Sequence, residues 1–309
     1  MLNNFAALAA VFFLACCSLA CGASPAEPEP QFSAMTIGKT NVQLQFSPGL
    51  DASTRQRLQS WIARSGRAVS DYFGEFPVPD VTILVITGDG AAITSGATFS
   101  DPELRIRVNV GRNTSDATYR ADWIMVHEMI HLAIPEVPRN QNWFHEGAAT
   151  YVEIIARARA GLSGSGGGWA ELLRNIEQGM PQKGDRGLDH TPTWGRTYWG
   201  GAMFCLLADV ELRKRSNNRV GLQDALRGIV AGGGNYSKAW SLEQALKVAD
   251  AATGLSVLTD LHLQLKDAGG RPDLAALWRD LGISTVDGEL RLRDDAPLSA
   301  TRRAIIDTR

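Results

Sequence analysis

A short apolar segment of this chain carries three side chains that an ordinary hydrophobic core does not accommodate. From Ile124 to Ala133 the sequence reads IMVHEMIHLA, so that His127, Glu128 and His131 lie among apolar residues. Burial of such groups costs free energy unless they are paired or bound to a metal ion. Residues four apart lie on one face of a helix, one turn apart, so both imidazoles point in the same direction. The segment therefore predicts a buried helix that binds a metal ion.

The spacing also indicates which metal is bound and what it does. Two histidines in the pattern His-Glu-x-x-His are typical zinc ligands, and the glutamate after the first histidine can act as general base toward a water on the metal. Fourteen residues separate His131 from Glu146, which begins a second apolar helix predicted over residues 146–160. A helix, loop, helix arrangement would bring the Glu146 carboxylate to both imidazoles as a third ligand and leave a fourth position open for water.

The two segments together resemble the gluzincin metallopeptidases, in their aminopeptidase N-like and peptidase MA-like branch. The second motif of that branch is typically Trp-Leu-x-Glu-Gly-x-Ala-x-Tyr-Val-Glu, and residues 143–153 read WFHEGAATYVE. The resemblance covers about residues 124–207 and implies that Glu146 is the third zinc ligand. A metzincin would need Gly and His shortly after the second histidine, and residues 132–138 contain neither.

The resemblance also implies a catalytic tyrosine. Tyr198 begins the sequence YWGG, 52 residues after Glu146, which resembles the family motif Tyr-x-x-Gly. In the family this phenol donates a hydrogen bond to the oxyanion, whereas an aromatic core residue is the alternative for Tyr198. Glu153 lies nearly on the same helical face as Glu146 and is expected either to accept a hydrogen bond from a ligand histidine or to be solvated. His145 is expected either to contact substrate or to pack.

One departure from the family restricts the predicted activity. Aminopeptidases of this branch have a Gly-x-Met-Glu-Asn segment whose glutamate holds the free amine of the substrate, and this sequence has no such segment. We therefore expect a zinc metallopeptidase that hydrolyses peptide bonds, without inferring aminopeptidase activity. One alternative is a non-catalytic protein that binds a peptide or the cell envelope on the same zinc scaffold. The other is a chance pattern in an ordinary core. His190 is expected to lie in a surface loop and His262 to be structural.

Composition and charge limit the choice of partner. With 309 residues, 44% hydrophobic and 21% charged, the chain has the composition of a globular protein. Its 31 basic and 33 acidic residues give a net charge of -2. Such a balance gives no electrostatic reason to expect nucleic acid or an anionic membrane surface as partner. The expected partner is a peptide or protein substrate.

The N-terminus predicts export. Residues 1–21 read as a signal peptide, because the apolar run is short for a membrane span and a Pro-rich tether, predicted over 22–34, follows it. Cys21 resembles the acylated cysteine of a bacterial lipoprotein, which would attach the protein to the cell envelope by a lipid. An ordinary secretory signal and an uncleaved apolar anchor are the alternatives. Cys205 is the one cysteine outside this leader, and it is expected to be buried, so no intrachain disulfide is predicted.

The order of the hydrophobic patterns predicts an α+β fold. A small N-terminal lobe, residues 35–112, is expected to contain a mixed sheet and one helix. Residues 113–285 nearly lack strand patterns and are expected to form a mainly α-helical zinc-peptidase lobe, with the zinc cleft between the two lobes. Residues 286–309 are expected to form a C-terminal tail. The alternating residues 104–110 indicate an exposed strand, either at the sheet edge beside the cleft or with a solvated outer face.

Overall fold

The computed structural model describes residues 29–163, 166–268 and 270–307. The predicted signal peptide with Cys21, and most of the predicted tether, lie outside these residues. Residues 31–34, which are predicted to end the tether, belong instead to a strand. This strand, Gln31–Ile37, pairs with Thr40–Phe46 along its whole length. In the described part of the chain, no helix is both long enough and apolar enough to cross a membrane.

A five-stranded mixed sheet forms the N-terminal lobe, as the sequence predicts. Its strands are β1 (Gln31–Ile37), β2 (Thr40–Phe46), β3 (Asp80–Gly88), β4 (Ile93–Phe99) and β5 (Arg105–Gly111). The spatial order is β1-β2-β3-β5-β4. The three inner strands are mutually parallel, while each outer strand is antiparallel to its neighbour. The alternating apolar residues of the inner strands are buried on the core face of the sheet.

The edge of the sheet beside the helical lobe is β4, and not the segment 104–110. Strand β5 pairs with β3 on one side and with β4 on the other, so the edge interpretation of residues 104–110 is wrong. Their alternation reflects a solvated outer face, with Arg107 exposed and Ile106 buried. The sequence of β4, ITSGATF, has no regular alternation that would predict its position.

Eleven α-helices make up most of the remaining described chain. They are α1 (Ala52–Phe73), α2 (Asp116–Ala121), α3 (Ile124–His131), α4 (Asn142–Arg159), α5 (Gly167–Asn175), α6 (Gly201–Ser216), α7 (Leu222–Ala231), α8 (Leu242–Thr253), α9 (Val257–Leu265), α10 (Leu274–Leu281) and α11 (Ser299–Ile306). Helix α1 belongs to the sheet lobe, and it also packs against α3 and α4. The order of a mixed sheet followed by a mainly helical region confirms the predicted α+β class.

The predicted C-terminal tail belongs to the helical lobe as far as the structure describes it. Ile283–Val286 and Glu289–Leu292 pair as a hairpin of strands β6 and β7. Helix α11 follows and packs against α4, α6 and α10. Its Arg302 is buried and donates hydrogen bonds to the carbonyls of Leu281 and Arg293. Arg159, the last residue of α4, donates two hydrogen bonds to the carbonyl of Ile305.

Candidate metal centre

Helix α3, which carries the first two candidate ligands, is fixed at its N-terminus by Asp122. The Asp122 carboxylate accepts hydrogen bonds from the backbone N–H groups of Ile124 (3.1 Å) and Met125 (3.0 Å). The indole N–H of Trp61, on α1, donates to the same carboxylate at 3.1 Å. A carboxylate in this position satisfies N–H groups that have no partner within the helix. The helix therefore enters the core in a defined orientation.

Helix α4 brings Glu146 against both histidines of α3. Glu146 Oε2 lies 3.4 Å from His127 Nε2 and 3.5 Å from His131 Nε2. One potential ligand atom from each of the three residues lies within 4.8 Å of the other two. Ligand atoms that bind a tetrahedral zinc ion at about 2.0–2.1 Å lie roughly 3.4 Å from one another. The chemistry of the three ligands and the two separations from Glu146 therefore fit zinc.

Burial and mutual contact set the charge of this cluster. Burial lowers the pKa of His127, although the hydrogen bond with Glu146 opposes the effect. Burial alone would raise the pKa of Glu146, but hydrogen bonds with His127 and His131 outweigh it and hold that pKa below its usual range. A neutral His127 and an ionised Glu146 are therefore favoured near neutral pH. These are the protonation states in which the two groups bind a metal ion.

Two glycines allow α4 and α6 to approach each other next to Glu146. A Cβ atom on Gly147 would lie 2.2 Å from Cα of Gly201, and one on Gly201 would lie 1.9 Å from the carbonyl oxygen of Trp143. Neither position can carry a side chain unless the backbone moves. This close crossing brings Tyr198, three residues before Gly201, to the metal cluster.

Tyr198 lies on a π-helical turn, Gly195–Gly200, that leads into α6. Such turns are rare in proteins, and those that occur are often found at functional sites. The Tyr198 ring lies 6.4 Å from the ring of His127. Burial, with the nearby charges of Glu146 and Glu128, raises the pKa of Tyr198 to about 12. The phenol therefore keeps its proton at neutral pH and is a hydrogen-bond donor.

Glu128 faces the edge strand β4. Its Oε2 atom lies 2.7 Å from Thr98 Oγ1, and its main-chain oxygen lies 2.9 Å from the same hydroxyl. A Cβ atom on Gly96 would lie 2.5 Å from Glu128 Cγ, so the strand approaches the glutamate closely. Neither β4 residue belongs to a sequence motif, which is why both were missed.

Glu153 does not meet the candidate ligands. Its carboxyl group lies 2.9 Å from Arg157 Nη1, and both side chains are almost fully buried. The Nδ1 atoms of His127 and His131 are buried and have no hydrogen-bond partner among the described residues. The expected hydrogen bond from a ligand histidine to Glu153 is therefore not formed, and Glu153 is not solvated either, with 3% of its surface exposed.

His145 packs beside the cluster and also contacts Tyr236, a residue that no sequence motif points to. Its ring lies 4.3 Å from that of His131 and almost parallel to it, and 4.6 Å from that of Tyr236. The backbone N–H of Tyr236 donates to the carbonyl of Leu132, just after α3, at 3.2 Å. Tyr236 follows the glycines 232–234 and comes near the centre only through the tertiary fold.

The other two histidines have contacts outside the cluster. His190 is exposed and lies 2.9 Å from Asp267, as expected for a surface loop. His262 lies 3.2 Å from Asp189 Oδ2. Asp189 also accepts a hydrogen bond from the indole N–H of Trp143 at 2.8 Å, near the start of α4. His262 is therefore structural, since it helps to hold the loop before Tyr198 against α4.

Comparisons with known proteins give similarity at the level of the fold. No protein-family model and no curated protein matches the chain. An aminopeptidase N family protein from Idiomarina loihiensis has a similar solved structure, with a TM-score of 0.60 and 16% identity over 82% of this chain and 49% of that one. An M1 zinc metallopeptidase from Deinococcus radiodurans has a TM-score of 0.50 at 14% identity, over 79% of this chain and 53% of that one.

A third solved structure, a two-domain M1 zinc metallopeptidase bound to L-arginine, has a TM-score of 0.51 at 16% identity, over 79% of this chain and 53% of that one. This chain thus spans about half the length of the proteins that it resembles. At these identities the similarity is one of fold.

Proposed function

We propose that this protein is a zinc-dependent metallopeptidase that hydrolyses peptide bonds. The observation that carries the proposal is the convergence of His127, His131 and Glu146 on one point, with ligand atoms at separations that suit zinc. Glu128 directly follows His127 in the sequence, and the ring of Tyr198 lies near the ring of His127. The similarity to M1 zinc metallopeptidases supports the same assignment.

Each residue of the centre has a separate role in the proposed hydrolysis. Zinc bound at this site would polarise the peptide carbonyl and lower the pKa of a coordinated water toward ~7. Glu128 removes a proton from the attacking water and passes it to the nitrogen of the leaving amine. Tyr198 donates a hydrogen bond to the oxyanion that develops on the carbonyl, a contact whose loss can cost roughly 10²-fold in rate.

Strand β4 offers a place for an extended substrate. It pairs with β5 along one edge, and no described strand pairs with its other edge. Thr98, near the end of β4, touches Glu128, so the strand lies beside the proposed general base. An extended peptide can add to such an edge through main-chain hydrogen bonds. We propose that a peptide or protein substrate binds in this way.

The leader supports an exported protein. The apolar residues 1–21 and the Pro-rich segment after them favour either secretion or attachment to the bacterial cell envelope through a lipid on Cys21. Membrane contact is proposed only through that lipid, and no contact with nucleic acid is proposed.

A chelator and one substitution test the proposed function. The purified protein is incubated with a mixed peptide library, with and without 1,10-phenanthroline, and cleavage is followed by mass spectrometry. We expect cleavage that the chelator abolishes, and a loss of at least ~10³-fold in Glu128→Gln, since general base catalysis and water orientation are both lost. Glu103→Gln, which changes an exposed glutamate, is the matched control and should keep full activity.

Metal analysis separates the remaining outcomes. Glu128→Gln should retain one zinc ion per chain, whereas Glu146→Gln should bind zinc more weakly by at least ~10-fold, because it loses a ligand. Chelator-insensitive cleavage, or full activity in Glu128→Gln, would contradict the proposal. One tightly bound zinc ion with no cleavage of any peptide would instead support a protein that binds a peptide or the cell envelope without hydrolysing it.

A further inference from the structure

Two strongly exposed tryptophans lie beside the metal centre. Trp123 is 48% exposed, and its ring lies 5.7 Å from that of His127. Trp194 is 61% exposed, and its ring lies 5.8 Å from that of Tyr198. Since the rings of His127 and Tyr198 also lie 6.4 Å apart, the four rings form a continuous run. We call the two tryptophans the aromatic rim.

Large exposed apolar side chains grouped at one place usually mark a binding surface. Tryptophan buries roughly 150–250 Å² when it is covered, and it is enriched among the residues that dominate binding energy. The rim is continuous with the ring of Tyr198, which is itself only half-buried. A ligand at the metal centre would therefore extend onto the rim.

The backbone holds Trp123 in place. Asp122, the preceding residue, caps α3 and accepts a hydrogen bond from Trp61. The carbonyl of Trp123 accepts a hydrogen bond from the backbone N–H of His127 at 3.0 Å, which ties it to the first turn of α3. The indole is thus presented to solvent from a fixed point, next to the first candidate ligand.

The backbone around Trp194 is equally constrained. A Cβ atom on Gly195 would lie 2.4 Å from the carbonyl oxygen of Gln178, so the chain is tightly packed there. The buried guanidinium of Arg196 forms an ion pair with Asp185 at 2.9 Å. Rings presented from a rigid backbone lose little conformational freedom when a ligand covers them, which favours binding.

The charges at the site decide which side chains suit the rim. Glu146 contacts His127, whose ring is one of the four, and Glu128 is the residue after His127 on α3. No Arg or Lys of the described chain lies over either indole ring. An acidic side chain covered by the rim would therefore lose its hydration without gaining an Arg or Lys partner there. A large apolar or aromatic side chain would cover the rings without such a cost.

We infer that Trp123 and Trp194 select peptide substrates with a large aromatic or aliphatic side chain next to the scissile bond. The inference rests on the proposed peptidase function, and it assigns the substrate class of that site. The two indoles act as specificity-determining residues that contact the substrate, while the residues that perform the reaction remain those already assigned.

The first test is the cleavage preference of the wild type and of three variants on the same peptide library. The wild type should cleave next to Phe, Tyr or Leu with a kcat/KM about 10-fold or more above that next to Gly or Asp, as expected for a hydrophobic pocket. In Trp123→Ala or Trp194→Ala this ratio should fall to roughly 3-fold or less for the substrate residue on one side of the scissile bond. Phe32→Ala, which removes an exposed aromatic ring on β1, is the matched control and should leave the ratio unchanged.

A second test is independent of turnover. Zinc-loaded Glu128→Gln protein is titrated with two blocked amino-acid hydroxamates, one derived from phenylalanine and one from glycine, whose hydroxamate groups bind the metal equally. The phenylalanine compound should bind about 10-fold more tightly, and Trp123→Ala or Trp194→Ala added to this background should remove most of the difference.

The outcomes separate the two proposals. Equal binding of both hydroxamates, a preference for Arg, Lys or acidic side chains, or an unchanged preference in both tryptophan variants would overturn the inference, even if peptides are cleaved. Absence of cleavage together with selective hydroxamate binding would count against the peptidase function and support the rim.

Discussion

The hydroxyl of Thr98 contacts two oxygen atoms of Glu128, Oε2 at 2.7 Å and the main-chain oxygen at 2.9 Å. A hydroxyl has one proton, so it donates a full hydrogen bond to one of these oxygens or shares a weaker one between them. When Glu128 carries a proton, its own O–H can donate to Thr98 while Thr98 donates to the main-chain oxygen. Thr98 can therefore hold the Glu128 side chain in one orientation before and after it accepts a proton.

Removal of that hydroxyl should lower catalysis without loss of the metal. We expect Thr98→Val to reduce kcat by roughly 10-fold or more, by analogy with outer-shell partners of metal-site residues, with little change in KM. Thr98→Ser keeps the hydroxyl and should remain within about twofold of the wild type. Steady-state kinetics and zinc content give the answer. A Thr98→Val enzyme with normal kcat would show that the contact does not orient the base.

The crossing of α4 and α6 should not tolerate a methyl group. In Gly147→Ala the new Cβ would meet the backbone of Gly201 at 2.2 Å, so the helices must separate. We expect a loss of about 1–3 kcal/mol or more in the free energy of unfolding, with loss of activity as Tyr198 moves. Gly88→Ala is the control, because no atom lies within 4 Å of its Cβ position. Urea denaturation compares them, and equal stability of the two variants would contradict the packing argument.

Metal removal should destabilise the folded protein. A ligand that binds only the folded state stabilises it by about 2.7 kcal/mol when its concentration is 100 times Kd. The Tm should therefore fall by several degrees with chelator and recover when zinc is added. Glu146→Gln should show a much smaller response, whereas Glu103→Gln should behave like the wild type. Differential scanning calorimetry measures the shift, and a Tm indifferent to zinc would refute a zinc site at these three residues.

A buried charge cluster behind the metal helix should make stability depend on pH. Arg157 Nη1 lies 2.9 Å from Glu153 and 3.4 Å from Glu171, while Asp122 adds a further negative charge. Two carboxyl groups, those of Glu153 and Glu171, thus contact one guanidinium. Burial raises the pKa of Glu153 from its usual 4.5 to about 8, and the charge of Glu171 adds to this although Arg157 opposes it.

The sign of the effect follows from proton binding. Between pH 4.5 and about 8 the folded state holds the Glu153 proton while the unfolded state has released it, so the contribution of Glu153 to stability falls as pH rises. Glu153→Gln removes this titration. Its free energy of unfolding, relative to the wild type, should therefore increase from pH 5 to pH 8, by up to a few kcal/mol. Urea denaturation at three pH values tests this, and a pH-independent difference would contradict it.

The sequence predicts the metal cluster well because the pattern is local. His127 and His131 are one helical turn apart, and Glu146 lies about one turn into the next long apolar helix, so few arrangements of the two helices are available. Thr98 and Tyr236 contact the same centre through pairings between distant segments, for which a single sequence holds no periodic signal. Neither was found for this reason.

Glu153 and the C-terminal segment show a different limit. Seven residues place Glu153 on nearly the same face as Glu146, but also two turns farther along α4, where its nearest cation is Arg157. Residues 286–309 are predicted to form a tail, yet Arg302 is buried because backbone carbonyls accept its hydrogen bonds. Charge counts cannot distinguish a solvated arginine from one that is satisfied internally.

The two hydrogen bonds from Arg159 to the carbonyl of Ile305, called the clamp below, bear on whether a shorter fragment of this protein could keep the metal centre. The five residues proposed to act in hydrolysis lie between positions 127 and 198, but α4, which supplies Glu146, ends in hydrogen bonds to the last helix. A fragment that stops after α6 would keep all five residues and lose the clamp, as well as the loop that places Tyr236 against His145. The segment 127–198 would therefore not form the centre by itself. Its transfer to another scaffold would have to include the contacts that residues near the end of the chain make with α4.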